Sequence, residues 1–337
     1  DIATDGLAWS PDGTKIVFVS GDLFTMDSDG SNITRLTNTP YDDHKGEPSW
    51  QPLAPIACAS ANPIDCPDFF ISQQYRDFLA RDPEPSCPPG QCGLDFYLPI
   101  LNGCAASDAE CIRYTRGALS ANFFRSPEFQ AKGSYVMYLY LVAIGQRPLT
   151  VAELQDASKI ERPHYTEFMA DMAAISSPND RNGPDPAKKA ALTQDFVQRA
   201  EMVAKYPTGT YPTLVSFGNA LAATAGVTLS SATQSAIAAA TTRAEVLQIV
   251  AESEEVNTKF YQPTFVTMEY FGYLRRDPEN CHDPANWWGL PDARDCGYIY
   301  HNRRFNELLP QLGSDLTQNF IVRGFIESPE YRRRFGL

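Results

Sequence analysis

The sequence is short of positive charge, of histidine and of long apolar runs, and each shortage excludes something. Lys and Arg number 28 against 41 Asp and Glu, a net charge of −13. A nucleic-acid-binding protein carries a basic stripe that neutralises phosphates, so this balance argues against that partner. The longest apolar run, Tyr135–Gly145, has 11 residues. A membrane-spanning helix needs about 20, so no membrane span is expected. The only histidines are His44, His164, His282 and His301. Gly-x-Ser-x-Gly, His-Glu-x-x-His and phosphate-cradling glycine loops are all missing. So is Cys-x-x-Cys, which removes the signature of a zinc ribbon or a thioredoxin-type redox site. The 43% hydrophobic and 20% charged content is that of a globular chain, not a disordered one.

What is present in excess is cysteine and proline. The eight cysteines fall at Cys58, Cys66, Cys87, Cys92, Cys104, Cys111, Cys281 and Cys296. Their spacing suggests four local staples: Cys58–Cys66, Cys87–Cys92, Cys104–Cys111 and Cys281–Cys296. Such pairs form in an oxidising compartment, so an extracellular or cell-surface location is expected, with the periplasm as the other compartment that fits. His282 and His301 lie near the last pair and bring a Cys/His metal site to mind. Cys87 and Cys92 occupy the same frame with no His nearby, which favours the disulfide reading. The chain opens on Asp1 rather than Met, so a start removed by processing or trimming is expected.

Residues 1–55 read as β-structure. Trp9-Ser10-Pro11-Asp12-Gly13 is a tight turn followed by strands at Ile16–Ser20 and Leu23–Met26, joined at Gly21-Asp22. A second turn falls at Asp27–Asn32, then a short strand around Arg35–Thr37. Trp9-Ser-Pro and Trp50-Gln-Pro stand 41 residues apart, one blade length. The segment resembles the Trp-Ser-Pro-Asp-Gly repeat of TolB-type β-propellers. A propeller closes with about four to eight blades, and a single blade leaves open edges and a bare face. Asp27–Asn32 and Asp180–Asp185 also look like fragments of calcium loops. Neither carries the closing Glu of an EF-hand, so a hairpin turn is the expectation at Asp27–Asn32, and no metal site is expected.

Residues 66–337 read as helical, after a linker at 56–65. Ile71, Tyr75, Phe78 and Leu79 sit at i, i+4, i+7 and i+8, the apolar stripe of a helix. The frame recurs at Val136, Tyr140, Ala143 and Ile144, and at Val266, Tyr270, Tyr273 and Leu274, with a weaker copy at Phe217, Leu221, Thr224 and Ala225. Arg81-Asp82-Pro83-Glu84 and Arg276-Asp277-Pro278-Glu279 follow two of these copies, and a helix must stop before such a proline. A second signature is Ser126-Pro127-Glu128 after Phe123-Phe124, matched by Ser328-Pro329-Glu330 after Phe325-Ile326. Looser copies centre on Arg199-Ala200-Glu201 and Ser253-Glu254-Glu255. Ser as N-cap, Pro at the first helical position and Glu near the positive helix end define a helix–break–helix corner. Four degenerate units result, about 66–135, 136–210, 211–258 and 259–337. The expected fold is mainly α, tandem degenerate helical repeats with local disulfides, plus a small N-terminal antiparallel sheet of one propeller-like blade.

These motifs resemble an exported bacterial family catalogued as domain of unknown function 4214, over about 270 residues. The resemblance rests on the Tyr-x-x-(Phe/Tyr)-Leu-x-Arg-Asp-Pro-Glu and Phe-(Phe/Ile)-x-Ser-Pro-Glu-(Phe/Tyr) elements and the Cys104…Cys111 pair. It implies a part of a large secreted or surface protein, and it brings no catalytic residue to carry over. Tyr97 and Tyr298 stand where the family often has Trp.

Neither chemistry nor cofactor is therefore expected, and the chain is read as non-enzymatic. Arg81 and Arg276 are expected to fix loops by bonding the neighbouring acid and free helix-end carbonyls. The adjacent Trp287 and Trp288 are a candidate surface for sugar stacking or protein docking. Arg332-Arg333-Arg334 is expected to be a solvated basic helix end, or to meet an acidic patch on a neighbouring copy. The functional expectation is an extracellular structural or surface-assembly protein, a filament or lattice subunit linked through its N-terminal β segment. The alternative is a carbohydrate- or protein-binding C-terminal module of a longer secreted propeller protein. Expected partners are copies of itself, other surface proteins or a glycan.

Overall fold

The computed structural model describes residues 7–9, 15–27, 30–37, 48, 60–84, 93–105, 107–145, 147, 162–177, 183–278 and 297–336. Cys58, Cys87, Cys92, Cys281, Cys296, Trp50, Trp287 and Trp288 lie outside them. The fold is mainly helical, with a small N-terminal antiparallel sheet and a local disulfide, Cys104–Cys111. Cys66 is also disulfide-bonded. The chain divides into two compact units, residues 1–72 with 83–104 and residues 73–82 with 105–337.

In the first unit, β1 (Leu7–Trp9), β2 (Lys15–Ser20), β3 (Asp22–Asp27) and β4 (Thr34–Arg35) form one sheet in the order 1-2-3-4. β1 is a strand that turn chemistry alone does not reveal. β2 and β3 pair from Lys15↔Asp27 to Ser20↔Asp22, and Gly21, at φ 73°, makes the tight link between them. Ile16, Val17, Phe18 and Val19 are all buried, so the central strand is covered on both faces. Of the Asp27–Asn32 turn, the described residues Asp27 and 30–32 are hydrogen-bonded to one another. Gly30 N–H donates to the Asp27 carbonyl at 2.9 Å, and the Asp27 carboxylate accepts from Lys15 and Asn32 at 2.8 and 2.6 Å. Those bonds hold Asp27 below its ordinary pKa.

Downstream, Asn62 caps a 3₁₀ turn at Pro63–Asp65, and helix α1 (Pro67–Gln74) runs on into a π-helical turn at Tyr75–Leu79. Helix α2 (Gly93–Leu101) closes the first unit.

The second unit is built from helices joined by short breaks. Helix α3 (Ala109–Arg125) starts at an Asp108 cap and ends at Ser126; α4 (Pro127–Phe129) passes through a π turn, Gln130–Ser134, into α5 (Tyr135–Ala143). Every residue of α5 is buried, so the 11-residue apolar run is a core helix. Then come α6 (Tyr165–Ile175), α7 (Pro186–Gln198), α8 (Ala200–Lys205), α9 (Leu214–Ala225), α10 (Ser231–Ala239) and α11 (Arg243–Ala251). Helix α12 (Glu254–Met268) ends in a π turn, Glu269–Leu274; α13 (Gly297–Ile326) is interrupted at Gly313; α14 (Pro329–Arg333) ends the described chain. No helix among the described residues is long and apolar enough to cross a membrane.

Candidate functional site

The two sequence signatures meet in space, and the meeting is the most organised polar geometry of the second unit. Each of the four apolar stripes ends on a residue with positive φ: Ala80 at 55°, Gly145 at 142°, Gly226 at 64° and Arg275 at 54°. That reversal stops the helix and turns the chain outward. Glycine does this without strain at two of the four; Ala80 and Arg275 do it against their own Cβ. The corners of the second signature also share one backbone shape. Ser126, Arg199, Ser253 and Ser328 all have φ between −57° and −69° and ψ between 140° and 150°. Ser126 Oγ serves both helices at once, donating to the Phe123 carbonyl at 2.8 Å and accepting from Phe129 N–H at 3.1 Å. Ser253 repeats this with Val250 and Val256.

A glutamate two residues past each corner receives the tie. Arg81 donates to both Glu128 oxygens, at 2.8 and 2.6 Å, across 47 residues of chain. Its guanidinium lies 5.0 Å from the Tyr75 ring centre. Arg276 does the same to Glu330 at 2.6 and 3.0 Å, over the Tyr270 ring at 5.5 Å. A third tie has no Arg-Asp-Pro in sequence. Arg162 donates to Glu201 at 2.7 and 3.2 Å and lies 5.7 Å from the Tyr140 ring. The fourth corner uses no arginine. Glu255 instead accepts the Ser230 N–H at 2.6 Å, and hydrogen bonding by Ser230 and by backbone amides lowers its pKa to about 2. The planar fork of arginine matches a carboxylate bidentately, which explains why these positions hold Arg rather than Lys.

This geometry revises the expected roles of several residues. The neighbouring acids Asp82 and Asp277 give Arg81 and Arg276 their backbone carbonyls, at 3.1 and 3.0 Å. The Asp82 carboxylate takes Arg76 at 2.6 Å. The Asp277 carboxylate takes His164 at 3.0 Å and the Tyr165 N–H at 2.7 Å, capping helix α6. Pro83 and Pro278 follow the αL turn, Pro127 and Pro329 open the next helix. Arg334 is not part of a solvated basic end. It donates to Asp77 at 3.0 Å and to the carbonyls of Gly272 and Tyr273 at 3.2 and 2.5 Å. Asp77 is buried and its pKa is pushed up by desolvation, opposed by Arg334 and Arg275, so an inward cation there is worth more than a solvated one. His301 bonds the Tyr270 hydroxyl at 3.0 Å and packs against Phe325.

Equivalent residues of the first and last corners face each other. Phe78 and Tyr273 meet edge-on with ring centres 5.2 Å apart. Gln74 accepts from Ser120 at 2.9 Å and from Tyr273 at 3.4 Å, and donates to Tyr331 at 3.4 Å. Glu269 holds the position matching Gln74, immediately before the tyrosine. It is wholly buried, neither carboxylate oxygen has a hydrogen-bond partner among the described residues, and burial pushes its pKa well up. Burial therefore favours the neutral form of the Glu269 carboxyl.

Two further surface features lie in this unit. Leu309 and Leu312, before the break at Gly313, and Leu316 and Phe320, after it, are exposed apolar side chains of α13. A recess of about 420 Å³ opens between the π turn Gln130–Ser134, α5, α7, the end of α11 and the first half of α12. Among the described residues, no three His, Cys, Asp or Glu side chains cluster as a metal site would require. Comparison with family models, with curated proteins and with solved structures returns no match for this chain.

Proposed function

We propose that this protein is a non-enzymatic structural module of the cell surface or extracellular space, built from degenerate helical repeats and assembling with copies of itself. Its units are similar to the exported family of unknown function named above, and its N-terminal sheet is one propeller-like blade. The observation that carries the assembly reading is the exposure of four large apolar side chains on the two sides of Gly313, Leu309, Leu312, Leu316 and Phe320, by 37, 40, 42 and 49%. Clustered exposed apolar side chains mark contact surfaces. Charges on the same helix segments are already paired: Arg304 with Glu307 at 3.0 Å, Arg323 with Glu110 at 2.9 Å, and Arg125 with Asp315. Two identical faces can then approach without the repulsion that a net charge of −13 otherwise imposes. The side chains of Arg81, Glu128, Arg276 and Glu330 are engaged with one another across the corners, which supports a structural rather than a chemical role. Disulfide bonding at Cys66, Cys104 and Cys111 supports an oxidising compartment.

Light scattering across a concentration series, with negative-stain microscopy, tests the reading. The expected result is a concentration-dependent oligomer or filament that Leu316→Glu with Phe320→Ser dissolves. A compact monomer at every concentration would overturn it.

A further inference from the structure

The structure assigns a second site, independent of the assembly reading: the recess beside α5 is a binding site for a neutral pyranose sugar. Its lining mixes three tyrosines, Tyr135, Tyr138 and Tyr261, with Lys189, Glu252 and Asn257. At about 420 Å³ it falls within the range of about 300–1,000 Å³ typical of small-ligand pockets.

The chemistry of the lining selects the ligand. Lys189 pairs with Glu252, and its ammonium sits 3.9 Å from the centre of the Tyr135 ring. Among the described residues these are the only charged side chains of the lining, and their charges balance. An anion or a cation would have to break this pair to gain a partner, and would leave the opposite charge uncompensated. A hydroxyl has no such conflict. It donates to the acceptor-only carboxylate and accepts from the donor-only ammonium at the same time. Asn257 accepts the Tyr138 hydroxyl on Oδ1 at 2.9 Å, which leaves its amide N–H groups to donate at the recess. Tyr261 is the half-buried aromatic of the wall, held by an edge contact with Phe124 at 5.3 Å and by Gln318 at 3.3 Å. A pyranose has both parts this wall asks for: a C–H face for an aromatic ring and adjacent hydroxyls that each donate and accept. A flat aromatic ligand would use the tyrosines but offer no hydroxyl to the carboxylate, the ammonium or the amide.

The test is saturation-transfer NMR on the whole chain, with methyl α-glucopyranoside, methyl β-galactopyranoside, methyl α-mannopyranoside and N-acetylglucosamine as probes. Galacturonate serves as the charged counterpart and tryptophan as the flat aromatic one. The expected result is transfer to the ring C–H protons of at least one neutral sugar and little to galacturonate or tryptophan. Asn257→Ala and Glu252→Gln, both at exposed positions, should each reduce that transfer at least about fivefold, a loss of roughly 1 kcal/mol in binding. Circular dichroism checks that each variant remains folded. Trp287→Ala with Trp288→Ala should leave the transfer unchanged, which separates this site from the tryptophan pair. Absence of transfer from every neutral sugar, preference for galacturonate or tryptophan, or transfer undiminished in both recess variants would overturn the proposal.

Discussion

The first and last corners carry nearly the same residues and bury them very differently. Arg81 and Glu128 have side chains 7% and 6% exposed, whereas Arg276 and Glu330 are 32% and 47% exposed. Glu128 also holds Lys132, whose side chain is fully buried, at 2.8 Å. The literal repeat in sequence therefore hides two energetic cases. A desolvated ion cluster cannot lose one partner cheaply, because the other charges are left in a low-dielectric interior. A surface pair exchanges its partner for water at small cost.

The comparison breaks most visibly at Glu128. Glu128→Ala removes the buried carboxylate that Arg81 and Lys132 share and should cost about 3–5 kcal/mol of stability by denaturant unfolding. Glu330→Ala, the matching change, should cost about 0–1 kcal/mol. A second contrast is the pair Gln74 and Glu269, one an amide with three partners and the other a buried acid with none among the described residues. Because the folded pKa of Glu269 lies above its unfolded value, stability is intact below about pH 4.5 and declines as pH rises above it. Glu269→Gln should therefore stabilise the protein at pH 7 by about 1 kcal/mol or more, with the gain vanishing near pH 4. A gain that does not shrink at low pH would show that the carboxyl is not held neutral. The smallest effect concerns the helix ends. Ala80→Gly puts glycine where Gly226 already stands in the weaker copy, and should add about 0.5–1 kcal/mol, read as a higher unfolding midpoint.

The helical stripes and the Ser-cap corners were legible because both depend on local rules, 3.6-residue periodicity and capping. The reversal after each stripe was half legible. Gly145 and Gly226 announce it, but Ala80 and Arg275 adopt the same hand only because the packed helix ends impose it. The third tie was hidden by chain length. Arg81 and Arg276 follow their tyrosines by six residues, but Arg162 follows Tyr140 by 22, so no fixed spacing links them. Arg334 was misread for a related reason. Its partner Asp77 is 257 residues away, and a run of three arginines at a chain end looks solvated until a buried carboxylate is found beneath it. The recess was not legible at all, since its walls come from helices spread between Gln130 and Tyr261. The β1 strand was missed because three residues are too few for a period-2 pattern to register.

The central claim is that the two signatures exist to tie one helix end to the next corner, and that burial decides how much each tie contributes. Parallel double-mutant cycles test it directly, Arg81→Met with Glu128→Gln against Arg276→Met with Glu330→Gln. The account predicts a coupling energy at the first corner at least about twice that at the last. Equal couplings, or none at either corner, would contradict it.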